Sequence, residues 1–544
     1  MPPLELTLLL ILLIAILSLG ARWFPWPQPI TYVIGGVIAA FLPGFPQVRL
    51  NPEFFFLCFL PPLLFSDGWL MPLRDFGRYK RSILLLATGL VVFTTIGVGL
   101  LAHWLFPDLP LAMGFALGAV ISPTDAVAVS AITEKLKVPS RLNTILNGES
   151  LMNDATGLVA FKFALAALVV GTFSIRAAVV EFFLVALGGL FIGLVIGFLA
   201  GKIRDMITRW QGADPMIEIT LSLLTPYAAF LLADHLNASA ILAVVAAGLY
   251  SGWRDPLSMD VETRQTSYAV WSIVIFWLNG LAFVLLGLQF PHLLAAVTEH
   301  YSAVRLAGDA VLIAVAAMFL RVSWFFPGAY LPFYFSRRVR ENEFKPTWQA
   351  VLVGGWAGMR GTVTLAAALS IPMLLPDGSP FPGRDLVIFL SFCVVASTLL
   401  LQGTTMAWLI RKLGVREDGI RQKEDRLARK TAVGEGLKRL KAITVAPEKR
   451  DELTALNLVI AEYEQRLSEL AADGEARTTA RLRNLAGYHF RFDALQAERH
   501  AIDDLWRRDV ISDEVHRPLQ QLLDHEESML QAKPIQQEGE DDVL

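Results

Sequence analysis

Residues 144–164 read TILNGESLMNDATGLVAFKFA, an apolar stretch that carries Glu149, Asn153 and Asp154 near its middle. About 20 apolar residues in a helix span the hydrocarbon core of a bilayer, so the stretch is long enough to cross a membrane. A carboxylate at the centre of that core costs roughly 2.5–3.5 kcal/mol even on the cellular insertion scale. Two carboxylates little more than one helical turn apart therefore need a partner, a proton or a bound cation. The stretch predicts an ion site inside a membrane helix.

The composition of the whole chain is that of a membrane protein. Of 544 residues, 54% are hydrophobic and only 18% are charged, which is far from the soluble average. The two cysteines, Cys58 and Cys393, lie within apolar runs and predict neither a disulfide framework nor a metal site. The net charge of -3 gives no indication of nucleic-acid binding, because an acidic tail offsets basic loops. No phosphate loop or nucleophile constellation is evident, so the sequence predicts no enzyme and no cofactor.

Hydropathy predicts thirteen membrane spans, each measured against the length of about 20 residues that a bilayer requires. The first span lacks a basic leading segment and a small-residue cleavage site, so it is taken as a span and not as a signal peptide. The predicted spans are 4–20, 28–44, 53–70, 83–106, 110–131, 143–170, 177–200, 216–233, 238–253, 268–290, 305–327, 347–372 and 385–410.

The charges between the spans predict the orientation of the chain, since cytoplasmic loops carry an excess of Lys and Arg. Alternate loops hold clusters of these residues, whereas the loops on the other side hold isolated arginines. An odd number of spans with the N-terminus outside puts the clusters, and the C-terminus, in the cytoplasm. Two of these clusters are Arg74, Arg78, Lys80 and Arg81, and then Lys202, Arg204 and Arg209. We therefore expect a multi-pass protein of the cell's inner (plasma) membrane.

The composition changes abruptly at residue 411, which divides the chain into a membrane domain, 1–410, and a cytoplasmic tail, 411–544. The tail is rich in Glu, Lys, Arg, Leu and Ala. Between Leu453 and Leu470 its apolar residues recur at intervals of three and four, which predicts an amphipathic helix. Pro447 and Gly474 delimit that helix. We expect a short helical bundle or self-association, with the final QEGEDDVL disordered.

A second polar group lies in span 110–131, where ISPTDAVAV places Pro123, Thr124 and Asp125 at mid-depth. Proline lacks a backbone donor and clashes with the preceding turn, so the helix is expected to break there. Non-helical backbone at membrane depth is tolerated where it lines a cavity, and its free carbonyls then stand beside a carboxylate as cation ligands. The alternative is a plain proline kink in which Asp125 caps a helix end.

The polar residues of span 143–170 lie on adjoining stripes of one helical face. Glu149 stacks over Asn153, and Ser150 over Asp154, because residues four apart share a face. One stripe can hold the structure together while its neighbour binds the ion. Ser150 could equally serve as a hydrogen-bonding link between helices. For Asp154 that alternative is poor, because a carboxylate is a costly way to make one hydrogen bond.

Two further charged residues complete the predicted site. Arg360 lies among small residues in GGWAGMRGTVTLAAALSIP, where a neighbouring helix can approach closely, and Glu149 is its expected partner in a structural ion pair. Arginine does not release its proton, so this pair would be permanent. Asp67, which follows Pro61 and Pro62, either lines an access funnel to the site or sits in interfacial water beside Trp69.

Four motifs together resemble the cation/proton antiporter-1 family, which contains bacterial NhaP-type and animal NHE-type sodium/proton exchangers. The resemblance covers about residues 1–410, and the GES..ND element within it is highly specific. The tail resembles that of the long-tailed bacterial members more weakly. The motifs are FLPPLLFSDG (59–68), ISPTDAVAV (121–129), LNGESLMNDATGLV (146–159) and GMRGTVTLA (358–366).

The resemblance implies an all-α fold of about thirteen transmembrane helices in inverted repeats, with broken, crossed helices and a dimerisation domain. Family roles would fall on Asp154 as the carboxylate that takes either cation or proton, with Asn153 beside it and Thr124 and Asp125 at the unwound helix. Glu149 and Arg360 resemble the family's structural ion pair. Many members have Glu where this chain has Asp67, one methylene shorter. Transported Na⁺ would lie on Asp154, Asp125 and Ser150.

The expected activity is therefore exchange of Na⁺, with Li⁺ accepted too, for H⁺ by alternating access. The Asn153-Asp154 arrangement is that of the electroneutral members, one cation for one proton. A K⁺/H⁺ exchanger of the same fold is the main alternative, because cavity size sets the choice of ion. A cation channel is more remote, and an intramembrane aspartyl protease would need a GxGD element that is absent. The expected partners are the lipid bilayer and a second copy of the chain in a homodimer.

Overall fold

The computed structural model divides the chain into two compact units, Met1–Glu417 and Asp418–Leu544. It describes residues 3–21, 23–24, 26–43, 45–46, 52–133, 136, 138–170, 175–299, 301–337, 340, 345–375, 377–417, 419–443, 450–472, 474–508 and 510–531. Over these ranges the regular structure is helical, apart from one bridge between Leu374 and Pro380. The all-α fold predicted from the sequence is confirmed.

Each predicted span coincides with a helix or a broken helix of the first unit. These helices are α1 Pro3–Ala21, α2 Gln28–Phe41, α3 Pro52–Leu70, α4 Leu73–Leu84, α5 Val91–Leu105, α6 Leu111–Ile121, α7 Ala126–Thr133, α8 Ser140–Val170, α9 Ile175–Gln211, α10 Pro215–His235, α11 Ala240–Ser258, α12 Val261–Thr298, α13 Ala303–Phe335, α14 Trp348–Trp356, α15 Thr362–Leu369 and α16 Arg384–Leu413. A π-helical turn, Leu85–Leu90, joins α4 to α5. Seven described helices are long and apolar enough to cross a membrane, and four shorter ones are apolar. The number of crossings stays a prediction.

Several helices run beyond the apolar stretches that predicted them. Helix α9 continues to Gln211 and α12 begins at Val261, because polar and charged residues with good helix propensity extend them. Arg74, Arg78, Lys80 and Arg81, predicted to lie in a loop, belong to the amphipathic helix α4. Arg204 was also assigned to a loop, and it is instead a buried residue of α9.

The first unit is packed around helices that approach one another closely. Helix α11 lies against α3 and α9, and α12 lies against α2. A side chain added at Gly193 of α9 would overlap the backbone of Ala243 in α11, so only glycine permits this approach. Helix α6 packs against both α5 and α8, which brings the predicted break in span 110–131 beside the polar face of α8.

The second unit consists of helical hairpins. Helices α17 Ile420–Lys441 and α18 Arg450–Ala471 pack together, as do α19 Gly474–Arg507 and α20 Asp513–Gln531. Leu495, Leu523 and Leu530 form a small apolar core of the second hairpin. The predicted amphipathic helix is α18, and Gly474 opens α19. Pro447 and the QEGEDDVL segment lie outside the described residues.

Candidate functional site

The helix of span 110–131 is broken at Pro123, as the sequence predicts. Helix α6 ends at Ile121 and α7 begins at Ala126. The carbonyls freed by the break have found donors from elsewhere in the fold. Nε of Arg360 donates to the Ile121 carbonyl at 3.1 Å, and Oγ of Ser150 donates to the Thr124 carbonyl at 2.7 Å. The break is therefore a non-helical segment whose carbonyls are hydrogen-bonded by other helices, and not a simple kink.

A second helix is broken opposite the first, and the two breaks are bonded to each other. Helix α14 ends at Trp356 and α15 begins at Thr362. The backbone N–H of Asp125 donates to the Met359 carbonyl at 2.7 Å. A methyl group added at Gly361 would overlap the Asp125 carboxylate, so this glycine is required by space and not by its backbone angles. The break predicted in span 110–131 is thus accompanied by a second break in span 347–372, in agreement with the broken helices that the family resemblance implies.

Glu149 pairs with Arg321 of α13, so the predicted ion pair of Glu149 with Arg360 is wrong. Nη1 of Arg321 lies 2.5 Å from Oε1 of Glu149, and Nη2 lies 2.9 Å from Oε2. The Arg321 side chain is 1% exposed and the Glu149 side chain is not exposed at all. A two-point bridge between planar groups satisfies both buried charges together. Arg321 also donates to the Ala357 carbonyl at 3.1 Å, which ties the pair to the second break.

The Arg360 guanidinium donates its hydrogen bonds to backbone carbonyls. Besides the Ile121 carbonyl, it donates from Nη1 to the Gly358 carbonyl at 2.8 Å and from Nη2 to the Ala317 carbonyl at 3.5 Å. It therefore holds both broken helices and α13 together. The sequence has two mid-span arginines, Arg321 and Arg360, that could pair with Glu149. Arg321, in the run MFLRVSWFF, carried the same signal as Arg360, a cation in an apolar span, and was missed.

Asn153 faces the ion pair. Its Nδ2 donates to Oγ1 of Thr124 at 2.9 Å and to Oε1 of Glu149 at 3.4 Å. Its buried Oδ1 has no hydrogen-bond partner among the residues that the structure describes. Asn153 is not among the described residues that line the cavity at the first break. Direct binding of a cation by Asn153 stays a prediction.

A cavity lies at the first break and brings together five of the six predicted binding residues. About 30 Å³ of it is open to a water-sized sphere, compared with the roughly 10–15 Å³ that one water needs. Asp154 is 5% exposed, whereas Asp67 and Asp125 are half-buried. Asp67 lines the cavity, which agrees with its predicted placement on the way to the site and not with a placement in interfacial water. The polar lining residues are Asp67, Thr124, Asp125, Ser150, Asp154, Asn279, Thr362 and Thr364.

The lining offers oxygen ligands of several kinds. Carboxylate, hydroxyl and amide oxygens are hard donors of the type that binds alkali and alkaline-earth cations. Among the described residues, no group of three or more His, Cys, Asp or Glu side chains is close enough to hold a metal ion. The predicted Na⁺ ligands Asp154, Asp125 and Ser150 share the cavity. Their coordination of Na⁺ stays a prediction.

Three lining residues were missed by the sequence analysis. Thr362 and Thr364 belong to α15, directly after the second break, and Asn279 comes from the middle of α12. Asn279 is a single amide within FWLNGLAFV, and intramembrane polar residues mark pathways and sites more often than lipid contacts. That signal was available, but no motif surrounds the residue to strengthen it.

The chain is similar to sodium/hydrogen exchangers over most of its length. The family model for the transmembrane part of sodium/hydrogen exchangers matches residues 8–412. An uncharacterized Na⁺/H⁺ exchanger of Escherichia coli, YjcE, is 35% identical, over 97% of this chain and 98% of that protein. The sodium, potassium, lithium and rubidium/H⁺ antiporter of Bacillus subtilis is 36% identical, over 97% of this chain and 78% of that protein.

Among solved structures, the sodium proton antiporter MjNhaP1 of Methanocaldococcus jannaschii at pH 8 has a similar fold. The TM-score is 0.59, and the match covers 76% of this chain and 99% of that one. Sequence identity over the match is 19%, so this likeness concerns the fold alone.

Proposed function

The chain belongs to the sodium/hydrogen exchanger family, and we propose that it is a secondary antiporter, not an enzyme, that exchanges a monovalent cation for H⁺ across the cell membrane. The observation that carries the proposal is the cavity at the first helix break, where Asp154 stands beside hydroxyl and carbonyl oxygens. A buried carboxylate with such neighbours is a binding site for a small cation or a proton. The relatives named above support the same pair of substrates.

Asp154 couples the two fluxes because it can be neutralised in two ways. Either H⁺ or a monovalent cation removes the cost of moving a charged carboxylate past an apolar barrier. The two ligands compete for one group, so one leaves as the other binds. Of the three cavity carboxylates, Asp154 is the most buried. It is therefore the group that most needs a ligand at every stage of an alternating-access cycle.

The exchange is proposed to be electroneutral, one cation for one proton. Glu149 is already paired with Arg321, so its charge is balanced within the protein. Asn153, the neighbour of Asp154, carries no charge. One carboxylate that exchanges one positive charge for another moves no net charge across the membrane.

Na⁺ is the proposed cation, with Li⁺ also accepted and K⁺ as the alternative. The Bacillus subtilis relative is named for transport of sodium, potassium, lithium and rubidium. Hard oxygen ligands accept each of these ions, and the size of the occupied cavity selects among them. We also propose the orientation with the N-terminus outside and the C-terminus cytoplasmic, and a homodimer in the bilayer.

The test is a pH jump in proteoliposomes that contain the purified full chain, with Na⁺, Li⁺ and K⁺ compared at equal concentration. We expect cation-driven proton efflux from the wild-type protein. The Asp154→Asn variant keeps the side-chain volume but removes the titrating group, and we expect it to lose exchange at normal abundance. Exchange by purified Asp154→Asn at the wild-type rate would reject the proposed mechanism. A flux that does not saturate with cation would indicate a channel.

A further inference from the structure

Helix α3 carries Asp67 into the cavity and carries Trp69 on the opposite side. Residues two apart on a helix are separated by about 200°, so their side chains point in nearly opposite directions. Asp67 lines the cavity. Nε1 of Trp69 donates to Oδ2 of Asp255 in α11 at 3.1 Å. A hydrogen bond on the far face of the helix therefore fixes the rotation that presents Asp67 to the cavity.

The acceptor Asp255 is itself held in place by Arg204 of α9. Nη2 of Arg204 lies 2.6 Å from Oδ1 of Asp255, and the two side chains are 6% and 3% exposed. One carboxylate oxygen thus takes the guanidinium and the other takes the indole. The three side chains link α3, α11 and α9 in a buried network, outside the cavity and outside the Glu149–Arg321 pair.

The segment of α3 around Asp67 depends on such outside contacts. Pro61 and Pro62 lie within the helix and remove backbone donors just before this segment. Tyr227 supplies a replacement donor, its hydroxyl bonding to the Cys58 carbonyl at 3.2 Å. From Phe65 to Trp69 the helix rests directly on α11. Side chains added at Gly248 and Gly252 would overlap the carbonyls of Phe65 and Trp69.

We propose that Trp69, Asp255 and Arg204 are positioning residues that set Asp67 in the transport cavity and thereby set the affinity for the cation. The inference rests on the proposed function. It assigns a task to a buried ion pair that lies away from the cavity, on helices α9 and α11. The network fixes the position of α3, and the position of α3 in turn fixes the Asp67 carboxylate in the cavity.

The test compares two tryptophans of the same aromatic cluster. Trp69 and Trp271 lie 6.2 Å apart between ring centroids, and each donates one hydrogen bond of 3.1 Å, Trp271 to Oγ of Ser222. Trp69→Phe and Trp271→Phe each remove one indole N–H donor from a buried site, and the two hydrogen bonds that are lost have the same length. Initial rates of Na⁺-driven proton efflux are measured in proteoliposomes against Na⁺ concentration, with thermal stability measured in parallel.

We expect Trp69→Phe to raise the apparent KM for Na⁺ about tenfold, as expected for the loss of one hydrogen bond to a charged group. The maximal rate should change little, and Trp271→Phe should leave KM near the wild-type value. In an Asp67→Asn background, Trp69→Phe should add no further change in KM. Arg204→Lys keeps the charge but alters the bridge to Asp255, and it should shift KM in the same direction. It serves as the second variant if Trp69→Phe does not fold.

Equal KM changes from the two tryptophan variants would overturn the inference, because the effect would then be one of general packing. An Asp67→Asn variant with wild-type KM, or a full Trp69→Phe effect in its presence, would also overturn it. Both results assume a wild-type protein that exchanges. A wild-type protein without exchange would instead reject the proposed function.

Discussion

At the scale of single residues, the buried charges of this protein are satisfied in two different ways. Arg321 neutralises Glu149 through two short contacts. Arg360 instead donates to carbonyls that helix breaks have left without partners. A guanidinium suits both tasks, because its donors are fixed in one plane.

The two arginines should therefore differ in a double-mutant cycle with Glu149. Glu149→Gln strands the Arg321 charge at a cost of roughly 3–5 kcal/mol, so thermal stability and yield should fall. Arg321→Met should do the same, and the double variant should recover part of the loss. Thermal unfolding of the full chain in detergent measures each corner of the cycle. The same cycle with Arg360→Met should show a smaller coupling, and a coupling to Arg360 larger than that to Arg321 would contradict the assignment.

The role of a single residue could be predicted from the sequence where the cost of placing it in a membrane helix leaves few alternatives. Asp154 and Pro123 are examples, since a carboxylate or a proline in a membrane helix has few acceptable environments. The partner of Glu149 could not be predicted in this way. Arg321 and Arg360 both lie in apolar spans, and only the path of α13 past α8 decides which one reaches the carboxylate. Asn279 was missed because a lone amide is also compatible with helix packing.

At the scale of elements, the break between α14 and α15 depends on a glycine with no room for a side chain. Gly361→Ala would place a methyl group on the Asp125 carboxylate. A displacement of about 1 Å at a reacting group can lower a rate about 100-fold, and we expect exchange to fall by about tenfold or more. Gly308→Ala in α13 is the matched control, because no described atom beyond its own stretch of helix lies within 4 Å of the added carbon. Equal exchange by the two variants would contradict this reading of the break.

The hairpin of α19 and α20 should weaken in acid. Nε2 of His516 lies 2.9 Å from Oδ1 of Asp503, and this hydrogen bond holds the pKa of Asp503 below its usual value, against an opposing effect of desolvation. A carboxylate with a depressed folded-state pKa stabilises the fold above its unfolded-state pKa. That contribution is lost as the pH falls through the folded-state pKa.

Hydrogen exchange of the full chain, corrected for the intrinsic effect of pH, measures this loss. Protection of α19 and α20 should fall in the acid range for the wild-type protein. Asp503→Asn should remove this pH-dependent part, while Asp493→Asn, an exposed acid on α19, should keep it. Identical profiles for wild type and Asp503→Asn would show that the pair does not stabilise the hairpin.

Helices were predicted more reliably than their ends. The apolar length of each span locates a helix because a membrane crossing requires it. The charged extensions of α9 and α4 could not be predicted from hydropathy, since helices continue wherever backbone propensity and packing allow. The pairing of Arg204 with Asp255 depends on that extension. A residue assigned to a loop by charge counting is in fact buried within a helix.

At the scale of the whole molecule, the proposed stoichiometry makes a prediction about voltage. An imposed potential is worth about 2.3 kcal/mol per charge for each 100 mV, which would bias any cycle that moves net charge. We expect the initial rate of Na⁺-driven proton efflux to be the same at inside-negative and inside-positive potentials. The potential should be set with a permeant anion, so that K⁺ is absent. A rate that follows the potential would indicate a second moving proton, with Asp125 as its first candidate carrier.

The bonds between the two helix breaks also limit how the protein can move. The N–H of Asp125 is bonded to the Met359 carbonyl, and the Arg360 side chain to the Ile121 carbonyl. A hinge placed between the breaks would have to break both bonds, and the buried Arg360 side chain would then lose a hydrogen-bond partner. We therefore expect the two breaks to move together, as one rigid body, past α3 and α12. If an ion binds at the first break, we expect it to move with the two breaks relative to Asp67 of α3 and Asn279 of α12.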